Sequence, residues 1–284
     1  MMRKSGRLLA SVGLVALLSW AIPSSAAAQA YVGPNLRPFA VLAGTTVTCT
    51  GASLITGDVG VSPGSAIVGF PSPCSDVGTL RVPPASDNAQ LELATAYTTL
   101  ATLPCAATIG PNLAGLTLTQ GVYCLGGAVS NLTGTLVLDA QSNPNAVFVF
   151  QMSSTLITSP SSTVSLINGA NACSVQWQVT SSATIDTGTT FVGNILALTS
   201  ITMNSGANLT GRALARNGAV TLDNNNISFA ACGAGSGAGG APTPFPPIGV
   251  PTLPEIGKWA LLIVLLGSGS YLLSQRRRTT GGHS

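Results

Sequence analysis

The chain has 284 residues, of which 7% are charged, 45% are hydrophobic and 33 are glycine, a composition that excludes disorder of the highly charged kind. The formal charge of +3 belongs to the two ends, because between Tyr31 and Gly249 the bases are Arg37, Arg81, Arg212 and Arg216 and the acids are Asp58, Asp76, Asp87, Glu92, Asp139, Asp186 and Asp223. With no basic patch, no lysine in that region and a single histidine, His283, near the carboxy terminus, the body of the protein excludes nucleic-acid binding, Ser-His-Asp or Cys-His catalysis, histidine metal sites and lysine Schiff-base chemistry. No metal and no cofactor is therefore expected.

Residues 1–30 carry Arg3, Lys4 and Arg7, then an apolar run from Leu8 to Trp20, then small residues ending Ala28-Gln29-Ala30. This order predicts a secretory signal peptide cleaved after Ala30, with an uncleaved anchor as the alternative; the run is short for a span. Residues 31–232 form the main domain. Six cysteines, Cys49, Cys74, Cys105, Cys124, Cys173 and Cys232, make an even number in an exported chain and predict disulfides with connectivity open. The pairing adopted as an expectation is Cys49 with Cys74, Cys105 with Cys124, and Cys173 with Cys232.

From Ser86 to Ala101 there is no glycine or proline, Ser86 or Asp87 stands where a helix cap is needed, and Ala89, Leu93, Ala96 and Leu100 recur at helical spacing. This predicts one amphipathic helix, with Asp87 and Glu92 on its solvated face.

Beyond the helix the sequence repeats. Thr184-Ile185-Asp186-Thr187-Gly188 recurs 18 residues later as Thr202-Met203-Asn204-Ser205-Gly206 and 19 further on as Thr221-Leu222-Asp223-Asn224-Asn225, while a step of 28 leads back to Leu156-Ile157-Thr158-Ser159-Pro160. In each copy an apolar residue (Ile157, Ile185, Met203, Leu222) is flanked by polar ones, the period-2 pattern of a strand with one buried face. The expected fold is mostly β: a parallel β-solenoid whose short coils stack apolar residues roughly 4.7–4.9 Å apart, with the helix alongside.

Residues 233–249 are rich first in glycine and then in proline and predict a linker. Residues 250–284 contain V-P-T-L-P-E-I-G (Val250 to Gly257), an apolar run from Trp259 to Leu273, and Arg276, Arg277 and Arg278. That order resembles the I-P-T-L type of bacterial carboxy-terminal sorting signal, with Val250 in place of Ile. It implies transient retention at the inner membrane by a short transmembrane helix, then processing by an envelope protease and release to the surface or medium; a plain tail anchor is the alternative.

The segments P-F-A-V-L-A-G-T-T-V-T (Pro38 to Thr48), T-G-D-V-G-V-S-P-G (Thr56 to Gly64), L-T-L-T-Q-G-V-Y (Leu116 to Tyr123), L-D-A-Q-S-N-P-N-A-V-F-V-F-Q (Leu138 to Gln151), F-V-G-N-I-L-A-L-T-S-I-T (Phe191 to Thr202) and G-R-A-L-A-R-N-G-A-V-T-L-D-N-N (Gly211 to Asn225) together resemble the ice-binding proteins of bacteria, fungi and algae. The resemblance spans residues 36–232 and implies a right-handed, discontinuous solenoid of triangular section, whose chain leaves the first coil, runs up as the helix and winds back. It implies an ice crystal surface as the partner and no enzymatic activity.

Family members often carry T-[A/G]-x-[T/N] on the ice-binding face. Here Thr187-Gly188-Thr189-Thr190 matches, Ser205-Gly206-Ala207-Asn208 matches with Ser for Thr, and Ser159-Pro160-Ser161-Ser162 departs. The expected face joins these to rows through Thr184, Thr202 and Thr221 and through Thr158, Asp186, Asn204 and Asp223. A monomer is expected. Two other classes remain open on residues alone: a surface adhesin, and a polysaccharide-cleaving β-helix using Asp186 and Asp223, two coil steps or roughly 9–10 Å apart, at the upper edge of the separation of about 6.5–9.5 Å that inverting glycosidases use.

Overall fold

Short strands with one apolar side need a second layer to cover that side, and this chain supplies it by winding on itself. The computed structural model describes residues 31–229; the predicted leader, linker and sorting tail and Cys232 lie outside the described residues. Among the described residues no helix is long and apolar enough to cross a membrane.

The coils present three faces. One is a seven-stranded sheet in the spatial order Val129–Leu132, Thr155–Thr158, Ala183–Ile185, Ile201–Met203, Val220–Asp223, Thr46–Thr50, Ala66–Val68, parallel throughout. The other two faces belong to one fifteen-stranded sheet, which turns the corner within Thr190–Ala197 and Asn208–Ala215. Gly193 and Gly211 make that corner, with φ of 113° and 151°, and a Cβ on Gly211 would lie 1.9 Å from the carbonyl oxygen of Gly193. Only glycine lets the two backbones approach so closely.

The inside of the column is mostly apolar, with aromatic rings at its centre. Phe150 and Trp177 stack at 4.0 Å between ring centroids, with Tyr123 and Phe191 continuing the pile on either side. Buried Trp177 keeps its indole N–H paired by donating to the Val192 carbonyl at 2.8 Å.

The solenoid is discontinuous, as the resemblance implies. Two N-terminal coils run to Leu80–Arg81, helix α1 (Asp87–Ala101) carries the chain along the stack, and the returning coils close against the first. Val220–Asp223 pairs with Thr46–Thr50, Asn226–Ser228 with Leu54–Thr56, and Asn208–Ala215 with Phe39–Ala43. At ~1.5 Å per residue α1 is ~22 Å long, close to the ~24 Å of five coil steps. Its anchors follow that climb: Ser86 Oγ donates to the Val61 carbonyl (2.6 Å), Gln90 to that of Arg216, and Tyr97 to that of Val179 (3.4 Å), and the Leu100 carbonyl accepts from Gln151 (2.7 Å). Ala89, Leu93, Ala96, Tyr97 and Leu100 form a second core with Leu42, Val149, Leu196 and Leu214 on the third face.

Three details differ from the sequence reading. Ser86 makes no side-chain cap, because its hydroxyl is taken by Val61. Asp87 and Glu92 are fasteners and not merely solvated: Asp87 accepts from Ser62 Oγ at 2.6 Å, and Glu92 accepts from Asn35 Nδ2 (2.6 Å) and the Leu36 amide (2.8 Å). The step from Thr155–Thr158 to Ala183–Ile185 is 27 residues, pairing Leu156 with Ala183 and Ile157 with Thr184. One residue of slip exchanges the faces of a strand, so Leu156 points in while Ile157 is exposed.

The disulfides Cys49–Cys74 and Cys105–Cys124 form as expected, and Cys173 is also disulfide-bonded. A buried cation closes the two ends of the described region together. Arg212 donates to the carbonyls of Phe39 and Arg37 and to Asn194 Oδ1, each at 3.1 Å, with its guanidinium 4.3 Å from the Phe229 ring centroid. Burial, with a smaller push from Arg37, lowers its pKa to about 10, which leaves it charged at neutral pH.

Candidate functional site

On the outer side of the seven-stranded sheet, alternation places every second residue toward solvent. Thr184, Thr202 and Thr221 stand in register on successive strands, and the row continues into Thr48. Its ends are Ile157 and Asn131 on one side and Val68 on the other. The adjoining row holds Asp186, Asn204, Asp223 and Thr50, with Asp223 and Thr50 directly paired; extending the Ile157–Thr184 register puts Ser159 in it. Neighbours in a row lie ~4.8 Å apart and rows lie ~6.7 Å apart, two residues along the strand. None of these ladders contains a register shift, whereas the helix-covered face has one between Phe39 and Val41.

The polar row is locked by its own hydrogen bonds. Asn204 Nδ2 donates to Asp186 Oδ1 at 2.9 Å and the Thr187 amide donates to the same oxygen at 2.7 Å. These bonds, that of Asn204 foremost, hold the Asp186 carboxyl below its ordinary 3.8. The Asp223 amide donates to Asn225 Oδ1 at 2.7 Å. A row so tied presents fixed oxygens and amides in place of mobile side chains.

The turn that leaves this sheet has a physical basis for its motif. Ser161, Gly188, Gly206, Asn224 and Gly51 all have φ between 54° and 72°, a stacked column of left-handed residues that favours glycine or asparagine. Thr187 and Ser205, just before it, are exposed on the ridge. The residue after it turns inward. Thr189 and Ala207 are both 0% exposed and Thr158 is 1% exposed, so these three expected face residues do not belong to the surface. Thr158 pairs with Thr189 hydroxyl to hydroxyl at 3.1 Å, and its oxygen accepts from the Asp186 amide at 2.7 Å. Thr190 and Asn208 are exposed, but in the neighbouring sheet, where they pair with each other. The quartet aligned with Thr187 to Thr190 is Pro160 to Thr163, since Thr163 pairs with Thr190, and not the one beginning at Ser159.

Residues that the sequence repeats do not mark complete the face. Thr46, Thr48 and Thr50 put three outward threonines on one strand, and Ser182 and Ser200 flank the central row, Ser182 bonded to Thr199 at 2.9 Å. The signal available was the T-x-T-x-T alternation of Thr46–Thr50. Among the described residues no group of three or more His, Cys, Asp or Glu side chains stands ready for a metal.

A parallel solenoid that presents a regular sheet of hydroxyls, methyls and tied amides, with little charge, belongs to the class of proteins that adsorb to an extended surface. Residues 41–228 match the family described as Ice-binding-like, and the chain belongs to that family. It is 47% identical over 221 residues, 77% of this chain and 81% of the relative, to an ice-binding protein of Nostoc sp. (strain HG1). Among solved structures it is similar to an ice-binding protein from an Antarctic biological consortium (45% identity, TM-score 0.67, 69% of this chain and 89% of the other). It is also similar to one from the Antarctic ascomycete Antarctomyces psychrotrophicus (35% identity, TM-score 0.66, 69% and 96%). The protein is not an enzyme, and the glycosidase reading of Asp186 and Asp223 falls with that membership.

Proposed function

We propose that the protein adsorbs to ice through the outer side of the seven-stranded sheet and thereby restrains ice growth and recrystallisation. The observation that carries this reading is the in-register row Thr184, Thr202, Thr221, Thr48 on adjacent parallel strands. Ice offers a lattice of oxygens with no net charge and no reactive group. Regularly spaced methyls and hydroxyls order surface water that can merge with that lattice, and a water-mediated contact is nearly as favourable as a direct one. Strongly hydrated lysine or glutamate would hold water in another arrangement, and this face has neither; its carboxylates are Asp186, whose Oδ1 is already engaged by Asn204 and the Thr187 amide, and Asp223.

The rest of the chain fits export. The leader at residues 1–30, the disulfides and the tail at 250–284 favour an envelope or secreted location, with an envelope protease as the partner that processes the tail. The domain works as a monomer. The test is uptake of the oxidised protein into a slowly growing ice front. Enrichment in the ice over an inert protein of similar size supports the reading; exclusion into the liquid, or cell binding at temperatures where no ice exists in its place, refutes it.

A further inference from the structure

We infer that the sheet face next to the seven-stranded one, across the left-handed ridge, is a second ice-docking surface that works independently of the first. This rests on the ice-binding reading above. Thr135, Thr163, Thr190, Asn208 and Asn226 stand in register on five successive strands of this face. The next outward row carries Thr210, Ser228 and Thr56, again in register. Neither row contains a carboxylate or a cation. Thr135, Thr190, Asn208, Thr210 and Asn226 are exposed, whereas the third face is covered by α1.

Both faces inherit the same mesh, ~4.8 Å along the stack and ~6.7 Å along the strand, because the same coils build them. They adjoin at the ridge of Ser161, Gly188, Gly206 and Asn224, where the chain leaves one sheet for the other. A planar crystal therefore meets one face at a time. Uncharged hydroxyl, methyl and amide rows suit a neutral oxygen lattice and give a charged macromolecule nothing to pair with. A molecule with two such faces keeps an adsorbing side toward the ice in more of its orientations.

The test compares uptake into a growing ice front for the oxidised wild-type chain, Thr202→Tyr on the first face, Thr190→Tyr on the second, and the double variant, with Thr210→Tyr as an independent second-face change and a thermal melt to verify folding. The expected result is partial loss of uptake in each single variant and complete loss in the double. Complete loss in Thr202→Tyr alone, or wild-type uptake in both Thr190→Tyr and Thr210→Tyr beside a loss in Thr202→Tyr, overturns the second face and leaves the first standing, and wild-type uptake in every variant overturns both faces. A wild-type chain excluded from ice overturns both readings.

Discussion

Thr189 separates a face residue from a buried one more sharply than any other position. It lies in the motif quartet that the sequence places on the surface, yet it is fully buried. Its hydroxyl pairs with Thr158 Oγ1 at 3.1 Å and donates to the Ser159 carbonyl at 3.2 Å. Thr189→Val keeps the shape and removes the hydroxyl. The Ser159 carbonyl retains Ser162 Oγ at 2.7 Å, so its loss is partial. The Thr158 proton loses its acceptor inside the protein, a deficit of about 1–3 kcal/mol, partly offset by the buried methyl. The net cost is ~1–2 kcal/mol, or ~2–8 °C in Tm for a domain of this size. Thermal melts by circular dichroism read the stability, and recrystallisation inhibition, normalised to folded protein, reads the function. Tm falls and activity per folded molecule stays at the wild-type level. A drop in activity with an unchanged melt would refute the inward placement of Thr189 and return it to the face.

Thr202→Tyr, at the centre of the threonine row, should do the opposite: a severalfold loss of ice activity with stability changed by no more than about 0.5 kcal/mol, and equal activity would mean that this row does not dock. Arg212→Met leaves the Arg37 and Phe39 carbonyls and Asn194 without their donor, and is expected to cost on the order of 3 kcal/mol or more, ~10 °C in Tm; an unaltered melt would show that the clasp is idle. Asp186 has a lowered pKa, so its contribution to stability is present above 3.8 and is lost only as pH falls through its own lower value. A carboxyl NMR titration should place its midpoint below 3.8 and move it upward in Asn204→Ala; a wild-type midpoint at or above 3.8 contradicts the Asn204 bond. Reduction should lower Tm, each disulfide contributing roughly 2–4 kcal/mol, and a melt insensitive to reductant would count against their structural role.

Much of this architecture is legible in the sequence, for identifiable reasons. The helix announces itself because fifteen residues without glycine or proline carry one apolar face, and each of Ala89, Leu93, Ala96 and Leu100 is buried. The 18-residue repeat is legible where glycine marks the turn, at Gly188 and Gly206. It blurs where Ser161 occupies the same left-handed position, because serine does not advertise the turn. The strand T-L-I-T (Thr155–Thr158) blurs it further: with two adjacent apolar residues either register satisfies the alternation, and a step of 28 in place of 27 sets Thr158 outside and Ile157 inside. Thr46, Thr48 and Thr50 escaped because their neighbours in space, Val220–Asp223, lie some 170 residues away in the chain, brought together by the helical excursion. No local repeat encodes that closure. The roles of Asp87 and Glu92 were equally hidden, since Ser62 and Asn35 meet the helix only in three dimensions.

The central claim is that the outer side of the seven-stranded sheet touches ice, and the most direct measurement is magnetisation transfer from ice protons to assigned threonine methyls of the oxidised protein in frozen solution. The sheet methyls of Thr48, Thr184, Thr202 and Thr221 should receive the strongest transfer, with little at buried Thr158 and Thr189 or at Thr95, Thr98 and Thr99, exposed on the helix. Transfer to the helix threonines equal to or stronger than that to the sheet row would contradict the account.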